Sequence, residues 1–251
     1  MKPLLNSFMI SASVGIASYM GADIVHEVIG HGGAALLAGF DITLLTSVYF
    51  KSNPVNILIS ICGPLSNLLL GLLLFVLLGY RTLKSAKTQF FLITLMAYNL
   101  FWFSGTLVQS GFSKEGDWSY AMASLQVGSL GKPLLWLVGV LAYFMSIKLV
   151  ANRFLRLRFQ IPGLPIKQST YQAYFFGIMA AIAAGLFYTT NPFGAAVEGL
   201  LEMAASLPIL LVVRRMEPKT PPTTLRSHWV VYGLVGLAFL LFCFTLGKGF
   251  Y

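Results

Sequence analysis

Residues 4–32 read LLNSFMISASVGIASYMGADIVHEVIGHG, an apolar run that ends in a cluster of ionisable side chains. The run exceeds the ~20 residues that an α-helix needs to cross a bilayer. Asp23, His26, Glu27 and His31 all lie in its last third. Ionisable groups are costly in hydrocarbon and usually mark a site. This stretch therefore predicts a first membrane-spanning helix with a functional site inside it.

The composition places the chain among polytopic membrane proteins. Of its 251 residues, 57% are hydrophobic and only 10% are charged, whereas soluble domains carry ~25% charged residues. We predict an all-α integral membrane protein, a polytopic bundle of about seven transmembrane helices with a short membrane-associated β-hairpin. The predicted spans are Leu4–Gly32, Val55–Leu78, Phe90–Val108, Pro133–Val150, Tyr171–Tyr188, Gly194–Val213 and Trp229–Leu246.

The basic residues are concentrated in one set of connecting loops, which predicts the orientation in the membrane. The loops near residues 80–88, 151–170 and 214–227 hold Arg81, Lys84, Lys87, Arg153, Arg156, Arg158, Lys167, Arg214, Arg215, Lys219 and Arg226, whereas the opposite loops hold Lys51, Lys114, Lys132 and Lys248. The positive-inside rule then puts the N-terminus in the cytoplasm. We expect a multi-pass protein of a bacterial inner membrane. Because the +9 net charge lies in these loops, we expect a lipid bilayer and no nucleic acid as its partner.

Two connections suggest how the chain is organised. Residues Asp41–Asn53 are rich in β-branched and aromatic types and end at Pro54, which predicts the β-hairpin. Pro162 and Pro165 interrupt a basic linker further on. We also divide the chain into a catalytic membrane core with a metal site, residues 1–125, and accessory transmembrane helices, residues 126–251.

The two histidines of the first span are five residues apart, which decides how they can share a metal. On a regular α-helix His26 and His31 would lie about 140° apart around the axis. A π-bulge absorbs one residue and returns His31 to the face of His26, and Gly30 weakens the regular helix at that point. Two neutral imidazoles with an adjacent Glu27 are the groups that zinc hydrolases use.

Other arrangements of the same residues are also open. On an unbulged helix Asp23, Glu27 and His31 form a stripe within about 80°, which could bind a metal and leave His26 outside the ligand set. Alternatively, the two histidines are only hydrogen-bond donors between helices. The i, i+4 pair Glu198 and Glu202 shares one face of the sixth span, where it either serves a substrate or ion path or bonds to a neighbouring helix.

Residues 20–120 resemble the site-2 protease family, polytopic zinc metalloproteases that cut membrane-embedded substrates. The resemblance rests on the run His26–Gly32, on Gly63-Pro64-Leu65-Ser66-Asn67 with the strand-like segment before it, and on Gly116-Asp117. It implies that His26, His31 and Asp117 bind Zn²⁺, that a fourth position holds water, and that Glu27 is the general base. A membrane-spanning protein is the implied substrate, and Asp23, Asn67, Asn99, Glu198 and Glu202 are candidates for contacting it or supporting the ligands.

The sequence departs from the family pattern at two of these elements. The His-Glu motif is one residue too long, and Asn99 lies well upstream of Asp117, which precedes Trp118. Asp117 could instead cap the helix that follows, with Glu115 as a weaker substitute ligand. Gly63-Pro64 could simply begin a helix. A metal-ion or proton transporter and an inactive protease relative are therefore the alternative functions.

Overall fold

The computed structural model describes residues 2–80, 85–113, 116–161, 163–217 and 229–251, and most of them are helical. Helices α1 to α10 are Lys2–Asp23, Gly33–Leu37, Ile57–Tyr80, Ala86–Phe112, Asp117–Ser124, Gly131–Gln160, Ile166–Leu186, Pro192–Ala204, Pro208–Val213 and Trp229–Phe242. A first π-helical segment, Ile24–Gly32, joins α1 to α2, and a second, Cys243–Gly247, follows α10. Strands β1 (Asp41–Leu45) and β2 (Phe50–Asn53) form a two-stranded sheet.

The predicted all-α membrane bundle is confirmed. A helix lies at each of the seven predicted spans, and six helical stretches among the described residues are long and apolar enough to cross a membrane. Helix α7 is the exception, because its first turns carry polar residues such as Lys167, Gln168 and Ser169. The six stretches are Ser7–Leu37, Ile57–Tyr80, Ala86–Phe112, Gly131–Gln160, Pro192–Val213 and Trp229–Gly247.

Small residues let the central helices approach closely. A Cβ atom at Gly15 of α1 would lie 2.0 Å from the backbone oxygen of Ala173 in α7. At Gly199 of α8, a Cβ atom would lie 2.8 Å from the oxygen of Ala181 in α7. Backbones that touch in this way are typical of membrane helix packing. They bring α8, and with it Glu202, toward α1.

One hydrophobic core joins helices from both halves of the chain. Its fully buried members include Tyr19 of α1, Phe101 of α4, Phe154 of α6 and Met203 of α8. Apolar side chains on the outer faces are exposed, as lipid-facing residues would be, with Val230 of α10 at 76%.

The division into catalytic and accessory halves stays a prediction, as does the orientation. Arg81, Lys84, Lys114, Glu115, Pro162, Lys219 and Arg226 lie outside the described residues.

The predicted hairpin is confirmed, and it is irregular. Strand β1 pairs antiparallel with β2 from Asp41 opposite Asn53 to Leu45 opposite Phe50, with a bulge between Ile42 and Leu44. Near the C-terminus, Phe250 exchanges two backbone hydrogen bonds with Leu45, at 3.0 and 2.9 Å. The outer edge of β1 is therefore paired at its last residue, Leu45, whereas β2 pairs with no second strand among the described residues.

Candidate metal centre

The segment Ile24–Gly32 is a π-helix, so the predicted wide turn is confirmed. The wider turn brings the rings of His26 and His31 together, with their centroids 4.8 Å apart and their planes at 78°. The stripe of Asp23, Glu27 and His31 on a regular helix was the alternative. That alternative is wrong because the segment is not a regular helix.

Helix α3 holds the wide turn from outside. A Cβ atom at Gly30 would lie 2.6 Å from Gly63 Cα and 2.7 Å from the backbone oxygen of Cys62, so the two backbones touch. The hydroxyl of Ser66 lies 2.6 Å from the backbone oxygen of Val25, within the π-helical segment. Gly30 therefore serves close helix packing as well as local unwinding.

Each imidazole is fixed through its Nδ1 atom. His26 Nδ1 lies 2.5 Å from Asn67 Oδ1, and His31 Nδ1 lies 2.7 Å from the backbone oxygen of Ile59. The Asn67 amide is itself oriented, because its Nδ2 donates to the backbone oxygen of Ala22 at 3.1 Å and to Asn99 Oδ1 at 2.8 Å. Carbonyl oxygens only accept, so Nδ1 of each neutral ring carries the proton and Nε2 keeps its lone pair. Metal-ligating histidines are usually held in this way.

Asp117 approaches the two imidazoles from a different part of the chain. Gly116 has a φ of 107°, a value that favours glycine, and it turns the chain into α5 so that Asp117 is the first helical residue. The Asp117 carboxylate faces both rings: Oδ2 lies 3.3 Å from His26 Nε2 and Oδ1 lies 3.4 Å from His31 Nε2. The alternative that Asp117 caps α5 is wrong, since Gly116 occupies the cap position.

Electrostatics favour an ionised Asp117. Burial raises the pKa of its carboxyl group, but the neighbouring His31 and the contact with His26 lower it, and the net result is a pKa below the usual value.

Helix α5 is held against α4 by Trp118, whose Nε1 donates to Thr106 Oγ1 at 3.1 Å, and by Ser119, whose hydroxyl donates to the Ser110 backbone oxygen at 3.0 Å.

The distances fit a shared metal better than direct hydrogen bonds. Charge-assisted N–H···O bonds are usually ~2.8 Å long, and both contacts to Asp117 are longer. Two ligands bound tetrahedrally to zinc at ~2.05 Å are ~3.3 Å apart. His26, Glu27 and His31 also offer one ligand atom each within 4.8 Å of one another. The described residues therefore include a buried His-Glu-His group that can hold a metal ion, with Asp117 beside it.

Three carboxyl groups lie close to this centre: Asp23 and Glu27 are buried and Glu202 is half-buried. Glu27 Oε2 and both carboxyl oxygens of Asp23 have no hydrogen-bond partner within the described part of the chain, and the same is true of Glu202 Oε2. Asp23 interacts electrostatically with Glu27 and Glu202, and Glu202 interacts with Asp117 and Glu198. Of the predicted site residues, the structure thus gathers Asn67 and Asn99 behind His26, and Glu202 and Glu198 on the side of α8.

Sequence reasoning missed several residues that contact the imidazoles. Phe50 of β2 stacks on His31 with ring centroids 5.2 Å apart, and Trp102 of α4 lies edge-on to His26 at 6.2 Å. The motif at Gly63 carries no sign of its contact with His31, but a Cβ atom there would lie 2.3 Å from His31 Nε2. The backbone oxygen of Ile59 leaves no signal in a sequence.

Comparison with protein-family models, curated protein sequences and solved structures finds no match to this chain.

Proposed function

We propose that this chain is an intramembrane zinc metalloprotease, similar to the site-2 proteases, that hydrolyses peptide bonds of membrane-embedded proteins. One observation carries the proposal. The Nε2 atoms of His26 and His31 lie 3.3 and 3.4 Å from the two oxygens of Asp117, which is the spacing of ligands around one tetrahedral zinc ion. Three protein ligands with one position left for water are typical of catalytic zinc sites.

The neighbouring Glu27 favours hydrolysis over redox chemistry. Two histidines and one carboxylate also suit non-haem Fe(II). However, a buried carboxyl group directly after the first histidine ligand is typical of zinc peptidases, where it acts as a general base. Glu27 is 5% exposed, and its Oε2 atom has no hydrogen-bond partner among the described residues. Metal analysis of the purified protein separates zinc from iron.

The residues of the chain have separate roles in the proposed reaction. A bound zinc ion would supply a water of lowered pKa and polarise the scissile carbonyl group. Glu27 takes the proton from the attacking water and returns it to the leaving amine. Asn67 and the backbone oxygen of Ile59 accept from Nδ1 of the two imidazoles and so leave Nε2 of each ring to face the metal position. The surrounding helices limit the access of bulk water to Glu27.

Strand β2 offers a place for an unwound substrate. Leu45 uses its N–H and C=O groups to pair with Phe250, so its partner Phe50 directs its own groups to the opposite edge of the hairpin. The Phe50 ring stacks on His31. A substrate segment added to this edge as an extended strand would therefore pass close to the metal centre. Peptide bonds in a helix are shielded, so such local unwinding is required for attack.

The test is cleavage in reconstituted vesicles. Synthetic single-span peptides are incubated with the wild-type protein and with Glu27→Gln, and new peptide termini are identified by mass spectrometry. We expect Glu27→Gln to keep its zinc and to lose cleavage by at least ~100-fold, because general-base catalysis contributes this much. Glu217→Gln, an exposed site away from the metal centre, is the control and should cleave normally. Full zinc-dependent cleavage by Glu27→Gln refutes the proposed mechanism.

The buried acids favour one alternative function, a metal-ion or proton transporter. Asp23 is fully buried, and its two carboxyl oxygens have no partner among the described side chains and backbone groups. Such residues often line ion paths in membranes. This alternative predicts zinc or proton flux into vesicles that Asp23→Asn abolishes, without any peptide cleavage. An inactive relative would show neither flux nor cleavage and would purify without stoichiometric metal.

A further inference from the structure

A second polar site lies at the opposite end of the bundle from the metal centre. A cavity of about 120 Å³ opens between the end of α3, the start of α4 and the end of α6. Its polar lining comes from Gln89, Arg153, Arg156 and Gln160, and Gly79 forms part of its wall. Along α3, Gly79 is roughly 24 Å from Gly63 at the metal centre, at 1.5 Å per residue. The cavity is therefore independent of the proposed protease site.

Arg153 is a buried guanidinium that lacks a full set of partners. Its side chain is 5% exposed; Nη2 donates to the backbone oxygen of Phe75 at 2.6 Å, and the guanidinium lies over the Phe75 ring at 3.9 Å. Nε and Nη1 have no acceptor within the described ranges. A Cβ atom at Gly79 would lie 2.8 Å from Nη2, so the glycine makes room for the charged group. Buried charged donors without acceptors are destabilising.

The part of the chain that the structure describes supplies no carboxylate to balance this charge. The chain has only eight Asp and Glu residues. Among the described residues at this end of the bundle, Glu217 is the one acidic residue. Its Oε1 atom lies 2.5 Å from Lys167 Nζ, so it is already paired. Arg156 adds a second positive charge to the cavity lining and repels Arg153. An anion bound from outside would offset both charges and accept the unused N–H groups.

We propose that this cavity binds a phosphate group, carried by the headgroup of an anionic phospholipid. A guanidinium donates in a fixed fork that matches phosphate oxygens, and the volume has room for several water-sized groups. Tyr80 and Phe159 at this end of α3 and α6 are exposed, at 87% and 67%, as aromatic residues at the headgroup level are. Basic pockets between helices at the cytoplasmic surface bind anionic headgroups.

The experiment measures which phosphate source the detergent-purified full chain binds. Native mass spectrometry counts bound lipid, and thermal unfolding records the accompanying rise in Tm, with phosphatidylglycerol, phosphatidylcholine and inorganic phosphate as separate additions. Arg153→Met keeps the apolar stem of the side chain, and Arg156→Gln changes an exposed residue. Arg215→Gln removes the same charge from an exposed position at the same end and is the matched control.

We expect the wild-type protein to prefer phosphatidylglycerol to phosphatidylcholine. Arg156→Gln and Arg153→Met should each weaken phosphatidylglycerol binding by about tenfold or more, since hydrogen bonds to charged groups are the strong ones; Arg215→Gln should not. If inorganic phosphate raises the Tm as much as phosphatidylglycerol does, the phosphate site is supported and its ligand is free phosphate from solution. Equal binding of the two lipids, or an Arg156→Gln protein that binds phosphatidylglycerol like the wild type, overturns the proposal. Zinc content should be unchanged throughout, so failure here leaves the protease proposal intact.

Discussion

Replacing Gly63 by alanine should remove metal binding without disturbing α3, the helix that carries Gly63. The new Cβ atom would lie 2.3 Å from His31 Nε2, whereas ordinary contacts begin at 3.4 Å. The ring therefore has to retreat by about 1 Å, while a metal–ligand distance tolerates only ~0.2 Å. The stacked Phe50 ring and the 2.7 Å bond from His31 Nδ1 to the backbone oxygen of Ile59 oppose that movement. Alanine is the better helix former by about 1 kcal/mol, so α3 itself is not weakened.

We expect the zinc affinity of Gly63→Ala to fall by at least ~100-fold, because one of three protein ligands is displaced. The assay is competition with a chromophoric chelator on the detergent-purified protein, with circular dichroism to confirm the helical content. Gly33→Ala is the matched control: it lies just after the π-helical segment, and the nearest atom to its new Cβ is 3.9 Å away. Gly33→Ala should bind zinc normally. Wild-type affinity in Gly63→Ala would show that His31 Nε2 does not face the metal.

Three further substitutions probe the same centre. Asn67→Leu removes the acceptor for His26 Nδ1 and should lower zinc affinity by ~10–100-fold in the chelator assay; an unchanged affinity would exclude the supporting role of the amide. Asp117→Asn should lose zinc, as measured by metal content. The control Asp41→Asn, at an exposed position of β1, should retain it. Zinc retention by both variants would remove Asp117 from the ligand set. Phe50→Leu should keep zinc but slow peptide cleavage in vesicles, because the ring lies on His31 at the proposed substrate edge; loss of zinc instead would mean that the stacking serves the metal.

The sequence predicts the fold well because membrane solvation leaves few choices. Apolar runs of spanning length must be helical in lipid, and the strand-like composition of residues 41–53 was enough to predict the hairpin. The spacing of His26 and His31 predicts the π-helical segment, since no regular helix lets them share a face. The break between α8 and α9 was not predicted. Pro208 lacks the N–H group that would continue the helix there.

What the sequence could not predict depends on packing between distant segments. The contact of Gly30 with Gly63 arises from how α3 crosses the first span, and no local pattern encodes that crossing. The acceptor for His31 is a backbone oxygen, which every residue carries. The proximity of Glu202 to Glu27 depends on α8 packing back onto the bundle through α7. The i, i+4 spacing of Glu198 and Glu202 predicts only that the two side chains lie on the same face of their helix.

The most direct measurement is the metal content and zinc-edge X-ray absorption spectrum of the purified wild-type protein. We predict about one zinc per chain, bound by two imidazole nitrogens at ~2.0 Å and by carboxylate or water oxygen, with the metal lost in His26→Ala and in His31→Ala. A protein that purifies without zinc, or whose bound zinc is unaffected by either substitution, would contradict the account.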